Sequence, residues 1–221
     1  MSFFEVNTQE SYAKESNEEF ITTSGIYPVK INFVSLNINE NGARSLDFNV
    51  EYKNTPHIFY GLKLDNNNGS ENFERAIFNR LCIIAGLTQV SEPVDQSHAV
   101  GKDREIKNFK VLDDFTDLEV YIRIQQQYSL FNGQIKQKKL IRNFYRKDDK
   151  ASAHEILTNE PAGVQFDKDM KYASNISYKD GLTEEMVTAY KSNGSTTTSS
   201  STTTDLFGVE EPNDTAKELN W

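Results

Sequence analysis

Apolar and polar residues alternate from Ile26 to Ile38 and again, after Asn39-Glu40-Asn41-Gly42, at Leu46, Phe48, Val50 and Tyr52. A period of two puts successive side chains on opposite faces of a strand, and the Asn/Gly cluster supplies a turn, so the pattern predicts two antiparallel strands. Thr55-Pro56 interrupts the run, and His57–Leu64 predicts a third strand with Ile58, Tyr60, Leu62 and Leu64 on one face. Asp65-Asn66-Asn67-Asn68-Gly69-Ser70 consists of turn formers and ends that segment. The spacing then changes. Phe73, Ile77, Phe78, Leu81 and Ile84 recur at intervals of three and four with Gly86 at a C-cap position, which predicts an amphipathic helix from Glu71 to Ala85. A polar connection runs to about residue 116. Two further strand-like runs, Leu118–Leu130 and Gln134–Arg146, flank Asn132-Gly133, the dipeptide a two-residue type I′ hairpin prefers.

The predicted fold is therefore mainly β. Three meandering strands, a helix and two more strands follow the order of the OB-fold, a five-stranded, partly open barrel with its helix between strands 3 and 4. A five-stranded sandwich has the same order and is the alternative. Beyond the strands, Ser152-x-x-Glu155 has the form of a capping box opening a short helix, and Thr183–Lys191 predicts another. Residues 192–204 (SNGSTTTSSSTTT) hold no apolar or charged side chain, so nothing there offsets the entropy of ordering. They predict a flexible linker with an r.m.s. span of roughly 20 Å. The chain divides into an acidic, flexible segment 1–23, a folded domain 24–191, the linker 192–204 and an acidic tail 205–221.

Composition changes the picture in two ways. Cys82 is the single cysteine, so no intramolecular disulfide forms, and its apolar neighbours make it a packing residue in a reducing, intracellular setting. The first twenty residues lack the pattern of a secretory leader, and no run of 18 apolar residues occurs, so a cytoplasmic location without membrane spanning is expected. The net charge of -9 argues against a polyanionic partner until its distribution is considered. Residues 205–221 carry -4 and residues 1–24 another -4, leaving -1 for residues 25–204.

Within that nearly neutral body, Tyr121 to Lys147 contains seven basic residues (Arg123, Lys136, Lys138, Lys139, Arg142, Arg146, Lys147) and no acid. Tyr121, Tyr128, Phe131, Phe144 and Tyr145 are interleaved with them. Cations beside stacking platforms are what single-stranded nucleic acid requires. With Asn132-Gly133 as the turn, opposite residue numbers sum to 265, which sets Tyr121 against Phe144, Arg123 against Arg142, Gln127 against Lys138 and Ser129 against Lys136 on an outward face. Ile122, Ile124, Leu130, Ile135 and Ile141 fall on the core side. An anion between Arg123 and Arg142 would relieve the repulsion of two like charges held opposite each other. Arg44, Lys53, Phe59 and Lys63, from strands two and three, would extend the site. The bland alternative is a solvated hairpin whose lysines discourage edge pairing.

The tail carries Phe207, Glu210, Glu211 and Asp214 and closes on Trp221. An indole on an acidic peptide is a hook for an apolar pocket with basic rims, and the same peptide would compete with an anion for the basic hairpin.

Three passages carry a resemblance: Ser24-Gly25-Ile26-Tyr27-Pro28-Val29-Lys30, Asn79 to Gly86, and Arg142-Asn143-Phe144-Tyr145-Arg146-Lys147 leading to Ala151–Ile156. Over about residues 24–157 the chain resembles phage-encoded single-stranded DNA-binding proteins of the OB-fold, T7-like type. The resemblance implies coating of single-stranded DNA during phage replication and recombination in the host-cell cytoplasm. It also implies that the acidic, aromatic-ended tail recruits a polymerase or helicase-primase, with Phe207 and Trp221 at the matching positions. The long Ser/Thr linker departs from that pattern. A homodimer is compatible with the sequence.

Catalytic and metal motifs point elsewhere. His57, His98, His154 and Cys82 have no zinc spacing, and Asp65–Gly69 places its glycine one position early for a calcium loop. Neither a cofactor nor enzymatic activity is expected. Asp95 with Glu105-Ile106-Lys107 imitates the acid, acid-x-lysine arrangement of some Mg²⁺-dependent nucleases and marks one enzyme alternative. A non-enzymatic virion structural or assembly module is another.

Overall fold

The computed structural model describes residues 19–101 and 104–194. The fold is mainly β and antiparallel. The first strand, β1 (Gly25–Ile38), pairs over Lys30–Ile38 with β2 (Arg44–Tyr52). Between them Asn39 closes the turn with its side chain, its Oδ1 accepting from the amides of Asn41 at 3.0 Å and Ala43 at 2.9 Å. β2 turns through Lys53-Asn54, both at positive φ, into β3 (Thr55–Lys63). β3 pairs with β2 alone, and an edge strand tolerates the missing amide of Pro56.

The fifteen-residue helix expected over 71–85 is shorter, α1 (Arg75–Ile84). Asn72 ends the preceding loop: its amide donates to the Leu64 carbonyl at 2.9 Å, and its Oδ1 accepts from the Glu74 amide at 3.0 Å. Phe73 is therefore outside the helix and exposed. At the other end Gly86, at φ +73, and Leu87 close a Schellman motif, with their amides bonded to Ile83 at 3.0 Å and Cys82 at 2.9 Å. Ile77, Phe78, Leu81 and Ile84 face the core.

The connection expected to be irregular up to residue 116 contains a hairpin, β4 (Val94–Val100) and β5 (Glu105–Val111). Its apolar alternation is weak because both faces carry polar residues, so the periodicity does not announce it. The basic hairpin follows as β6 (Glu119–Phe131) and β7 (Gln134–Arg146), and a two-residue strand, β8 (Ser177–Tyr178), adds to β6 in parallel. Eight strands thus stand where five were expected, the additions being β4, β5 and β8.

β1 pairs with β6 over Gly25–Lys30 and forms one ladder pair with β5, at Ser35–Val111. The five long strands run in the order β3-β2-β1-β6-β7. β3 and β7 approach each other but form no ladder among the described residues. The core lies inside this curved sheet: Ile31 and Val34 of β1, Phe48 of β2, Phe59 and Leu62 of β3, Ile122 and Ile124 of β6, and Ile141 and Phe144 of β7 pack with α1. Phe48 and Phe144 meet at 5.5 Å between ring centroids.

At its first described residues the chain is already packed onto this body. Ile21 is buried in the core, and the Ser24 hydroxyl accepts from the Gln126 amide at 2.9 Å. After β7 come α2 (Ala153–Thr158) and α3 (Val164–Met170). The expected capping box is present: the Glu155 amide donates to Ser152 Oγ at 3.3 Å, and the Ser152 amide donates to Glu155 Oε2 at 2.8 Å. Residues through Thr183 belong to one unit; α4 (Glu184–Gly194) belongs to a second. Residues 1–18 and 195–221 lie outside the described residues, and with them most of the linker and all of the tail, including Phe207, Glu210, Glu211, Asp214 and Trp221.

Candidate functional site

The β6–β7 hairpin turns as expected, with Asn132 at φ +50 and Gly133 at φ +72. The expected register holds from Phe131–Gln134 to Ile124–Ile141 and fails beyond it. Arg142 is an extra residue in β7, a bulge, so Arg123 pairs with Asn143, Ile122 with Phe144, and Tyr121 with Tyr145. Arg123 does not oppose Arg142, and the repulsion inferred between them is absent. One inserted residue also reverses faces. Phe144, expected outside, is fully buried in the core, and Tyr145 is equally covered.

Tyr128 is a second correction: it is buried, with its ring stacked on Tyr178 at 5.9 Å. Neither Phe144 nor Tyr128 presents a free face to a base. Leu130 and Ile135 are the opposite case. Assigned to the core side, they are exposed and half-buried, because the hairpin extends past the core.

A second group of expected binding residues is engaged within the protein, part of it by the helices that follow. Glu155 accepts from the amides of Gln165 at 2.7 Å and Gly163 at 3.2 Å, tying α2 to the start of α3. Burial disfavours its charge, but these backbone donors and Ser152 outweigh that and hold its pKa below the ordinary value. The tether brings Asp169 and Phe166 of α3 over the hairpin. Arg123 Nη1 pairs with Asp169 Oδ1 at 2.7 Å, and the Tyr145 hydroxyl donates to the same carboxylate. Burial, and then that carboxylate, push the Tyr145 pKa upward. Tyr121 meets the Phe166 ring edge-on at 5.1 Å and carries the Lys147 ammonium 5.3 Å from its own ring centroid. Arg146 makes two bonds to Asp149, at 2.9 and 2.5 Å, which hold that carboxyl at about 2.

The remaining cations gather elsewhere. A groove of about 790 Å³ opens where β3 and β7 approach without pairing. Lys138, Lys139 and Arg142 line one wall; Phe59, Tyr60 and Lys63 line the other, with Phe73 and Lys179 at its margins. Glu74 is the acid among its lining residues, and its Oε2 accepts from the Lys63 amide at 2.8 Å. Among the described residues Lys63, Lys138, Arg142 and Lys179 form no ion pair. Arg142 is oriented by Gln125, to which its Nε donates at 2.8 Å. Lys139 differs: its Nζ donates to the Ile21 carbonyl at 2.6 Å, and burial lowers its pKa. Of the four residues expected to extend the site, Phe59 and Lys63 line this groove; Arg44 is bound to Asp65 and Lys53 to Glu19.

Two aromatics that the periodicity assigns to buried faces stand in this groove. Tyr60 is 70% and Phe73 74% exposed. Tyr60 is turned out by a bulge in β3: Leu46 pairs with Leu62 and Phe48 with Phe59, so Tyr60 and Gly61 together oppose Asp47. Gly61 sits at φ +72, where a side chain would be strained, and its amide donates to Asp47 Oδ1 at 2.7 Å. The signals were present in the chain. A glycine inside a strand pattern marks a bulge, and an Asn three residues ahead of a helix marks its true entry.

Phe131 and Lys136 stand apart from both groups, at the hairpin tip. The nuclease-like residues do not converge: Asp95 pairs across the ladder with Lys110 and Glu105 with Val100, five steps away, or about 17 Å. No cluster of metal-ligating side chains occurs among the described residues, and no helix there is long and apolar enough to cross a membrane. Comparison with protein-family models and with curated proteins finds no match.

Proposed function

We propose that this protein binds single-stranded DNA without sequence preference in the groove between β3 and β7. The observation that carries the reading is the joint exposure of Tyr60 and Phe73 beside Lys63, Lys138, Arg142 and Lys179, cations with no ion-pair partner among the described residues. Bases are planar and every one has a π-face, so exposed rings accept them regardless of sequence, while the cations take the phosphates. An enclosed pocket would select one small molecule; an open groove between two strand edges admits a continuous chain.

The strand order supports reading the fold as an OB-fold. β1, β2, β3, then a helix, then β6 and β7 reproduce its sequence of elements, and β4–β5 is then an insertion between helix and fourth barrel strand. On that reading the groove lies at the opening of the barrel. The protein coats DNA during phage replication and recombination and acts as a binding protein rather than an enzyme. Its acidic tail, with Phe207 and Trp221, recruits a replication polymerase or helicase-primase in the host-cell cytoplasm.

The test is titration of fluorescent oligo-dT with wild type, Tyr60→Ala and Phe73→Ala at low salt. Each ring removed is expected to weaken binding by about 1 to 3 kcal/mol, roughly five- to 150-fold in Kd. Failure of the wild type to bind, or wild-type affinity in both variants, would overturn the reading.

A further inference from the structure

The tip of the β6–β7 hairpin is not used by the groove, yet it is built as a rigid projection with an apolar end. Phe131 is 63% exposed, immediately before Asn132-Gly133, and Leu130 beside it is exposed as well. A two-stranded ribbon alone is marginally stable, but this one is braced almost to its end. β8 pairs with Gln127 and Tyr128, the Lys179 amide donates to the Tyr128 carbonyl at 2.9 Å, and the Leu130 amide donates to Asp180 Oδ2 at 3.0 Å. Asp180, the acid held against the tip, is thereby engaged with the backbone. The positive φ values of Asn132 and Gly133 fix the turn itself.

A cationic track leads away from this end. Past the turn β7 carries Lys136, whose Nζ donates to Gln134 Oε1 at 2.8 Å, and then Lys138, which is already in the groove wall. From Gln134 to Lys138 is about 13 Å along the strand. One line thus joins an exposed ring on a stiff stem, two lysines and the groove.

We propose that Phe131 stacks on the terminal base pair of a duplex at a junction between single- and double-stranded DNA, with the strand that leaves the duplex running past Lys136 and Lys138 into the groove. The proposal rests on the single-strand reading of the groove and adds to it a second ligand, the duplex end. A terminal base pair has one uncovered π-face, and a ring held at the end of a braced hairpin covers it without entering the stack. Backbone cations alone would not distinguish a junction from a free strand.

The test compares an oligo-dT with the same dT run attached, as a 3′ or a 5′ tail, to a closed DNA hairpin. Wild type, Phe131→Ala and Phe131→Trp are each titrated by fluorescence anisotropy at one salt concentration. Wild type is expected to bind one of the tailed hairpins about tenfold more tightly than free dT, the gain of one stacking contact. Phe131→Ala is expected to lose that gain while holding dT within about twofold of wild type, and Phe131→Trp to keep it. Equal affinity of wild type for tailed and free dT would overturn the proposal and leave the groove reading standing; absence of all binding would overturn both. An equal loss on every ligand in Phe131→Ala would make Phe131 a single-strand platform, and a changed oligomeric state in sedimentation would make it a protein contact. Either result also overturns the proposal.

Discussion

Arg123 and Asp169 meet at 2.7 Å with both side chains largely covered, and the Tyr145 hydroxyl shares the carboxylate. Removing the guanidinium leaves a poorly solvated charge, so Arg123→Ala is expected to cost about 3 kcal/mol in urea unfolding while leaving oligo-dT affinity within about twofold. Phe144→Ala belongs to the same class. Its ring is fully buried against Phe48, and the substitution is expected to destabilise the fold by about 3 to 5 kcal/mol. A folded Phe144→Ala protein that had lost only DNA affinity would contradict the burial. Residue type and alternation assign these two residues to a binding face, and residue type alone assigns Tyr128 to it. Residue type was legible in the chain; the partner of each residue was not, because Asp169 and Tyr178 lie 46 and 50 positions away from Arg123 and Tyr128 in sequence. Tyr60 and Phe73 show the reverse error, as rings that periodicity places in the core and local backbone geometry turns outward.

The bulges in β3 and β7 act at the scale of the element. Each inserts one residue into an otherwise regular ladder, and each exchanges the inner and outer faces of everything beyond it. The five long strands, the helix and the type I′ turn were legible because their periods and turn residues are unambiguous. Which side of a strand faces the core was legible only up to the first bulge. Gly61→Ala tests the bulge in β3: at φ +72 the substitution is expected to cost about 1 to 2 kcal/mol and to weaken oligo-dT binding by disturbing Tyr60. The loop before α1 depends on a charge cluster in the same way. Arg44 donates to Asp65 Oδ2 at 2.5 Å, and Arg75 pairs with the same carboxylate, so the Asp65 pKa is held at about 2. A carboxylate whose folded pKa is depressed contributes stability that is present above its unfolded pKa, near 4, and lost as pH falls from about 4 to 2. Urea midpoints are expected to drop through that window, and Asp65→Asn to be less stable at neutral pH with a shallower acid limb. An unchanged limb in Asp65→Asn would show that the cluster does not govern the loop.

Over the whole molecule, net charge is a poor guide to binding. The chain carries -9, but residues 1–24 and 205–221 account for -8 of it, and within the body the cations stand in different surroundings. Carboxylates neutralise Arg123 and Arg146, the Ile21 carbonyl engages Lys139, and Lys63, Lys138, Arg142 and Lys179 line the groove. The acid-free stretch supplies Lys138, Lys139 and Arg142 to the groove wall and overcounts the available cations, and it does not contain Lys179, which enters from the segment after β8. On the proposed function those four cations hold the phosphates of a single strand, and the dependence of oligo-dT affinity on salt, for wild type and for Lys138→Ala with Arg142→Ala, measures that hold. Counterion release from a single strand contributes about -0.7 per phosphate neutralised, so four contacts give a log-log slope of about -3. The double variant is expected to flatten it to about -1.4. Equal slopes in the two proteins would contradict the account.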